Sequence, residues 1–237
     1  MSGKNIEIYE WRVNVEDYES LTWVDEHYGK LDEPFANSQR FGASWRSRVL
    51  LRCNNPSRTD RPISDTPKAD VAMRILSRRG LDMLRDLVEP SCEILPLDST
   101  LGEFWAINCI NETPCIDLAK SRYRTDSAGR VAELYDWAFE PDHLPCVHVF
   151  RVPESCVSFL VTRAFVDRVK VAKLLGFRLN LLWSLHGGPV ERESAIRGTY
   201  KNTTEPWELE EIRRLKSEIC RQRKEVRSRK HKQSSDE

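Results

Sequence analysis

Between Val147 and Leu182 the spacing of apolar positions changes period in a way that defines a module. Val147-His148-Val149-Phe150 and Val157-Ser158-Phe159-Leu160-Val161 are short extended runs, and Arg151-Val152-Pro153-Glu154-Ser155 between them carries the proline of a turn. Thr162 then stands as an N-cap before a helical spacing of Phe165, Val166, Val169, Ala172 and Leu175, which Gly176 is expected to end. Phe177 to Leu182 reads as a returning strand.

The stretch from Met73 to Ile110 repeats this grammar. Met73 to Leu76 is extended, Ser77 caps, and Leu81, Leu84, Leu87 and Val88 share one helical face that stops before Pro90. Glu93–Leu97 and Phe104–Ile110 are expected to form a hairpin around the turn at Asp98 to Gly102. Ile75–Leu84 aligns with Leu160–Val169 at a constant separation of 85, with Ser77 and Thr162, Arg78 and Arg163, and Asp82 and Asp167 in register. Leu97 and Leu182 keep the same separation. Any capped strand–helix unit would share part of this pattern, so it reads either as helix physics or as duplication. Both give two β-α-β pieces.

Elsewhere the pattern is plainer. Ile6 to Val15 alternates as a strand with Tyr9, Trp11, Val13 and Val15 on one face. Asp17 to Trp45 is rich in aromatics without a clean period and is expected to be irregular structure against the sheet. Ser47–Cys53 and Val131–Phe139 read as strands, and Asn54 to Pro62 as a loop. His186-Gly187-Gly188-Pro189 breaks the pattern, and Val190 to Thr204 is polar. A last helix capped by Thr204 has Pro206 in its first turn, glutamates near its start and Lys and Arg near its end, as the helix dipole favours; fraying is expected past Lys230. The fold class expected is α+β: a mixed, largely antiparallel sheet with two strand–helix–strand units and a C-terminal amphipathic helix. Residues 1–185 would form the body, and 186–237 a polar linker with a basic helix.

Composition narrows the function classes. With 237 residues, 40% hydrophobic and 31% charged, the chain has the balance of an ordinary globular protein. Its apolar runs are far shorter than the roughly 20 residues that cross a bilayer, so no membrane partner is expected. The start, Met1 to Glu7, lacks the apolar core of a secretory signal, which points to the cytoplasm. Seven irregularly spaced cysteines read as reduced, buried small side chains. Of the 37 basic and 37 acidic residues, ten and four lie from Arg213 onward, a balance of +6, which leaves the first 212 residues at −6. An acidic body suits a basic partner.

No motif announces catalysis: P-loop, G-x-G-x-x-G, G-x-S-x-G and H-E-x-x-H are all absent from the sequence. His143, Cys146 and His148, with Cys156 nearby, are metal-ligand types without the paired spacing of a zinc site, so no metal and no cofactor is expected. They keep open an enzyme with a Cys/His centre between 143 and 156. The basic tail could associate with nucleic acid, but no aromatic residue follows Trp207 to stack on bases, and a solvated helix end accounts for it. Ile212, Ile219 and Val226 lie seven apart and would permit a homodimer through the C-terminal helix, weakly, because Glu208, Gln222 and Arg229 share the seam with Leu215. Asn108, Asp117, Arg151 and Glu154 lie beside turns or strand ends. They either bond local backbone or shape a polar surface that binds a partner protein.

Several of these blocks recur in one order. Ile75-Leu76-Ser77-Arg78 with Leu81 and Leu84, then Glu93-Ile94-Leu95-Pro96-Leu97, Trp105-Ala106-Ile107-Asn108 and Ile116-Asp117 come first. His148-Val149-Phe150-Arg151-Val152-Pro153-Glu154-Ser155 and Phe159-Leu160-Val161-Thr162 with Phe165 follow. Together they resemble the eleventh immunity family of polymorphic toxin systems, formerly a domain of unknown function. The resemblance covers about Asp70 to Leu182. It implies a cytoplasmic α+β protein, encoded beside a secreted or contact-delivered toxin, that binds and blocks that toxin and carries no catalytic residues. The aromatic-rich N-terminal third and everything from His186 onward lie outside the resemblance; they would hold either toxin-specific contacts or another role.

Overall fold

The structure, a computed structural model, describes residues 6–24, 37–47, 49–52, 61–69, 73–190 and 204–233. The first half of the chain order is β1 (Glu7–Val13), β2 (Leu21–Val24), β3 (Val49–Arg52), β4 (Arg74–Ser77), α1 (Arg78–Val88), β5 (Cys92–Leu97) and β6 (Phe104–Cys109). It continues with β7 (Arg122–Thr125), β8 (Val131–Asp136), β9 (Val149–Val152), β10 (Ser155–Thr162), α2 (Arg163–Val171), β11 (Phe177–Ser184), β12 (Gly188–Pro189) and α3 (Pro206–Gln233). The loop expected at Asn54 to Pro62 falls mostly outside the described residues, as does Val190 to Thr204 apart from its two ends.

The chain is α+β, and among the described residues every pairing between named strands is antiparallel. One sheet has the order β12-β11-β1-β10-β9, another β4-β6-β5, and β2-β3 and β7-β8 are two-stranded. The two strand–helix–strand units are both present, and each is split by an inserted strand. β6 runs between β4 and β5, and β1 between β10 and β11. The 85-residue separation holds through both units: Arg78 and Arg163 begin the helices, and Cys92 and Phe177 begin the strands after them. Even the registers agree. Ala106 pairs with Ile75 and Leu95, and Glu10 pairs with Leu160 and Asn180, the residues 85 positions further on. The inserted strand follows the first unit but comes from the N-terminus in the second. Spacing along the sequence carries no sign of that exchange.

Both sheets are covered on both faces, which is why runs such as Phe159-Leu160-Val161 are continuous rather than alternating. The shared core holds Leu81, Leu84 and Val88 of α1 and Phe165, Val166 and Val169 of α2. Between them lie Leu76 and Ile107 from one sheet and Tyr9, Trp11, Phe159, Val161 and Phe177 from the other. Trp11 is fully buried at its centre, stacked on Phe177 at 5.4 Å, tilted to Phe165 at 5.1 Å and edge-on to Phe159 at 5.9 Å. The outer face of the three-stranded sheet packs Ile75, Leu95 and Phe104 against Leu21, Phe41 and Leu50. On the outer face of the larger sheet, Ile8, Phe150 and Leu160 meet Ile116, Leu134 and Trp137.

The helix termini explain a departure from the sequence reading. Ser77 caps α1 by accepting from the Gly80 amide at 3.1 Å, and Thr162 occupies the equivalent place on α2 without a side-chain cap. Helix α2 ends at Val171, not at Gly176, and Lys173 takes the left-handed conformation (φ 50°) that closes such a helix. Gly176 serves a different need. It has φ 84°, and a Cβ there would lie 2.4 Å from the Ser64 side chain. Segment 61–69 runs this close because Asp65 is bound there. Its carboxylate accepts from Ser77 Oγ (2.8 Å), Arg79 Nη1 (2.7 Å) and the Leu175 amide (2.8 Å), joining the start of α1 to the chain leaving α2.

Gly176→Ala is expected to cost about 2–4 kcal/mol from the left-handed backbone and the Ser64 overlap together. Gly129→Ala, at φ 76° with nothing within 4 Å, should cost only about 1 kcal/mol. Urea unfolding of the two variants checks this; equal losses would mean that the close approach at Ser64 does not constrain Gly176.

Candidate functional site

The strip from Asn108 to Asp117 leaves β6 and runs along the outer edge of β9. Two backbone bonds stitch it there, Arg151 N to Asn111 O and Thr113 N to Arg151 O, both 2.9 Å. Glu154 stands in the two-residue turn from β9 to β10, so this edge brings three of the sequence candidates, Asn108, Arg151 and Glu154, into one neighbourhood. Asp117 lies at the far end of the strip, where its amide donates to Ala138 O at 2.9 Å.

Their roles differ. Asn108 is fully buried and donates through Nδ2 to Gln39 O (2.7 Å) and Glu93 Oε2 (2.9 Å). Glu93 in turn accepts from the amides of Phe41 (2.9 Å) and Gly42 (3.0 Å), so the pair pins residues 39–42 to the three-stranded sheet. Arg151 is also fully buried, its guanidinium 4.4 Å from the centre of the Phe159 ring, and burial lowers its pKa from the usual arginine value. Arg74 lies over the same ring at 4.8 Å, and burial brings its pKa down to about 10. A partner protein cannot touch Asn108 or Arg151 directly, so they bear on a contact surface through the segments they hold.

Asp117 and Glu154 reach the surface. Asp117 closes a turn by accepting from the Lys120 amide (3.2 Å) and Lys120 Nζ (2.7 Å), and the Lys120 ammonium holds its carboxyl below the usual range. Glu154 is half-buried, and loss of water, with a smaller push from Glu112, raises its carboxyl above the usual range. Glu112 itself is exposed and accepts from Ser38 Oγ at 3.5 Å, tying the strip to the segment that Asn108 holds. Glu93 and Glu112 were not singled out from the sequence. A charged residue opening the apolar run Glu93-Ile94-Leu95 was the available signal for the first; the second had none.

The Cys/His stretch is spread out. His143 pairs with Glu140, His148 Nδ1 lies 2.8 Å from Thr162 Oγ1, and Cys146 and Cys156 are exposed. Among the described residues no three His, Cys, Asp or Glu side chains are grouped as metal ligands. Cys92 and Cys109 face each other across β5 and β6 in the interior.

Residues 17–182 of the chain match the sequence model of the Immunity protein family (Imm11). The chain belongs to this family. The match ends at Leu182, as the resemblance does, but it begins at Asp17 rather than near Asp70, so the family's span takes in the aromatic-rich stretch. That stretch is also less irregular than its composition suggests, since it contributes β2. No curated protein matches the chain. Most of the folded body of this Imm11 protein is thus common family ground, and α3 lies beyond it.

At the junction of that body with α3, a cavity of about 640 Å³ opens between β1, β11, the end of α2 and the start of α3. Its cations are matched by carboxylates: Arg12 with Glu10 (2.8 Å), Lys170 with Glu205 (3.1 Å) and Arg178 with Glu16 (3.4 Å). At its wall, buried Glu208 accepts from Tyr18 OH and the Gly176 amide, both at 2.8 Å, and with Ile212 anchors α3. Burial raises the Glu208 carboxyl and, more strongly, the Tyr18 hydroxyl.

Two outcomes follow. Asn108→Ala removes the donor to Gln39 O and Glu93 Oε2 and should cost about 1–3 kcal/mol in chemical denaturation; no loss would mean that residues 39–42 are held by other means. Because the folded state raises the Glu208 pKa, its contribution is fully present below the unfolded value near 4.3 and is lost as pH rises through the folded value. Unfolding midpoints across about pH 4 to 8 should therefore lose part of their pH dependence in Glu208→Gln, whose amide oxygen keeps both donors. An unchanged profile would remove Glu208 as its source.

Proposed function

We propose that this immunity-family protein binds the toxin encoded beside its own gene and neutralises it by covering the surface the toxin needs, in the cytoplasm of the producing cell. Family membership across residues 17–182 is the observation that carries this reading. Occupying a partner surface calls for a rigid scaffold with exposed complementary groups rather than a reaction centre. The strip from Asn108 to Asp117 and the Glu154 turn suit that demand: exposed Glu112 and the partly buried carboxylates of Asp117 and Glu154 sit on a backbone stitched to buried Arg151 of β9. In this reading the chain is a binder and not an enzyme. Residues 1–185 act as the neutralising body, and 186–237 as an appendage to it.

Co-expression with the neighbouring toxin domain tests it. Growth should be restored and the two proteins should co-purify, whereas Glu112→Lys with Asp117→Lys should weaken the rescue in a chain that still folds. Absence of both a complex and a rescue by the unaltered protein would end this reading.

A further inference from the structure

Cys92 opens β5 and Cys109 closes β6, and the strand register sets them directly opposite each other. The next rung outward, Ser91 with Ile110, is a hydrogen-bonded one, since the Ile110 amide donates to Ser91 O at 2.9 Å. Rungs alternate along an antiparallel ladder, so Cys92 and Cys109 form a non-hydrogen-bonded pair, in which facing Cα atoms come within about 4.5 Å. Residues so opposed project to the same face, and both side chains here enter the shared core. A disulfide spans Cα separations of roughly 4.4–6.8 Å, so the two sulfurs can join with little movement of the backbone.

The surroundings treat the two thiols differently. Burial pushes the Cys92 thiol well above its usual value, and neighbouring Cys109 adds to this. At Cys109 the hydrogen bond from Cys92 outweighs burial, and the Arg151 guanidinium adds to it, so this thiol is lowered. Burial takes the Cys115 thiol the other way, up to about 12. Cys109 is fully buried and Cys92 only 5% exposed, but the pair ends its ladder, where opening one rung admits a small oxidant.

We propose that Cys92 and Cys109 are a modification site, a dithiol that a hydroperoxide converts into a disulfide stapling β5 to β6. The Cys109 thiolate attacks one oxygen of the hydroperoxide and the O–O bond breaks. A sulfenic acid forms, and the other oxygen leaves as hydroxide or alkoxide and takes the proton that Cys109 gave up. The Cys92 sulfur then attacks the Cys109 sulfur, the S–O bond breaks, and hydroxide departs with the Cys92 proton as water. The two sulfurs lose two electrons and the O–O bond gains them. With hydrogen peroxide the products are one disulfide and two waters. The new bond closes the β5–β6 hairpin into a ring and removes the Cys109 contact to Asn111 O, at 3.6 Å. That carbonyl also accepts from the Arg151 amide, so the staple lies at the root of the strip along β9. None of this depends on the toxin-binding reading.

The test treats the reduced full chain with a few equivalents of hydrogen peroxide and caps the remaining thiols with iodoacetamide. Cleavage after glutamate separates Cys92 from Cys109 at Glu93 and Glu103, and mass spectrometry maps the products. The two peptides should appear linked, two hydrogen atoms lighter than their sum, and should part with dithiothreitol. The unfolding midpoint of the treated chain should rise by about 5 °C and fall back on reduction. A chain with Cys53→Ser, Cys146→Ser, Cys156→Ser and Cys220→Ser keeps the pair and should behave in the same way. Adding Cys92→Ala to it should abolish the shift and leave Cys109 as a sulfenic acid that dimedone traps. The reversible shift is read on the unaltered protein, so it stands whether or not the variants fold well. Oxidation confined to the exposed cysteines, or a Cys92–Cys109 link that forms only in urea, would overturn the site. A link without a reversible shift would overturn the staple.

Discussion

The rest of the molecule depends on two helices sharing one apolar layer between two sheets. Neither α1 nor α2 is long enough to stand alone, and each sheet has an inner face that needs cover. Trp11 closes the arrangement. It sits on the strand that splits the second unit, its ring packs on β10, α2 and β11 at once, and its carbonyl accepts from Arg74 Nε on β4 at 2.9 Å. A buried indole of this kind contributes about 3–5 kcal/mol, judged by what truncation costs in other cores. Asp65 supplies the polar counterpart, joining the start of α1 to the exit of α2. The two units therefore stand or fall together.

That constraint decides which residues remain for recognition. With both faces of both sheets covered, strand side chains are consumed by packing, and even polar ones such as Asn108 and Arg151 are drawn inside to hold segments in place. Among the described residues, the parts that stay outside include the strip along β9, the turn at Glu154, the β7–β8 hairpin and residues 221–226 of α3. These carry charge on backbones fixed by the core or, for α3, by its contacts at Glu208 and Ile212.

Much of this was legible in the sequence. Cap residues, proline and the change of period placed α1, α2, β5, β6, β9, β10 and β11 within a few residues, because those signals report local backbone physics. The 85-residue echo also survived into the pairing registers. What was hidden is non-local. Nothing in the alternation of Ile6 to Val15 says that this strand inserts between β10 and β11. Gly176 looked like a helix stop because its close approach to Ser64 depends on a segment far away in sequence. The strand β7, Arg122–Thr125, is fully exposed and so lacks any apolar alternation to reveal it. Asp117 and Glu154 read correctly as turn residues. Asn108 and Arg151 read as surface candidates because polar character suggests water until a buried acceptor or an aromatic ring is seen beside it.

Protection by occupation, rather than by chemistry, is the central claim, and one titration addresses it directly. Toxin activity measured in vitro against increasing amounts of the purified protein should fall linearly and vanish near one equivalent. The toxin recovered from the mixture should have its original mass and full activity. Complete inactivation by a small fraction of an equivalent, or a covalently altered toxin, would contradict the claim and restore an enzyme to consideration.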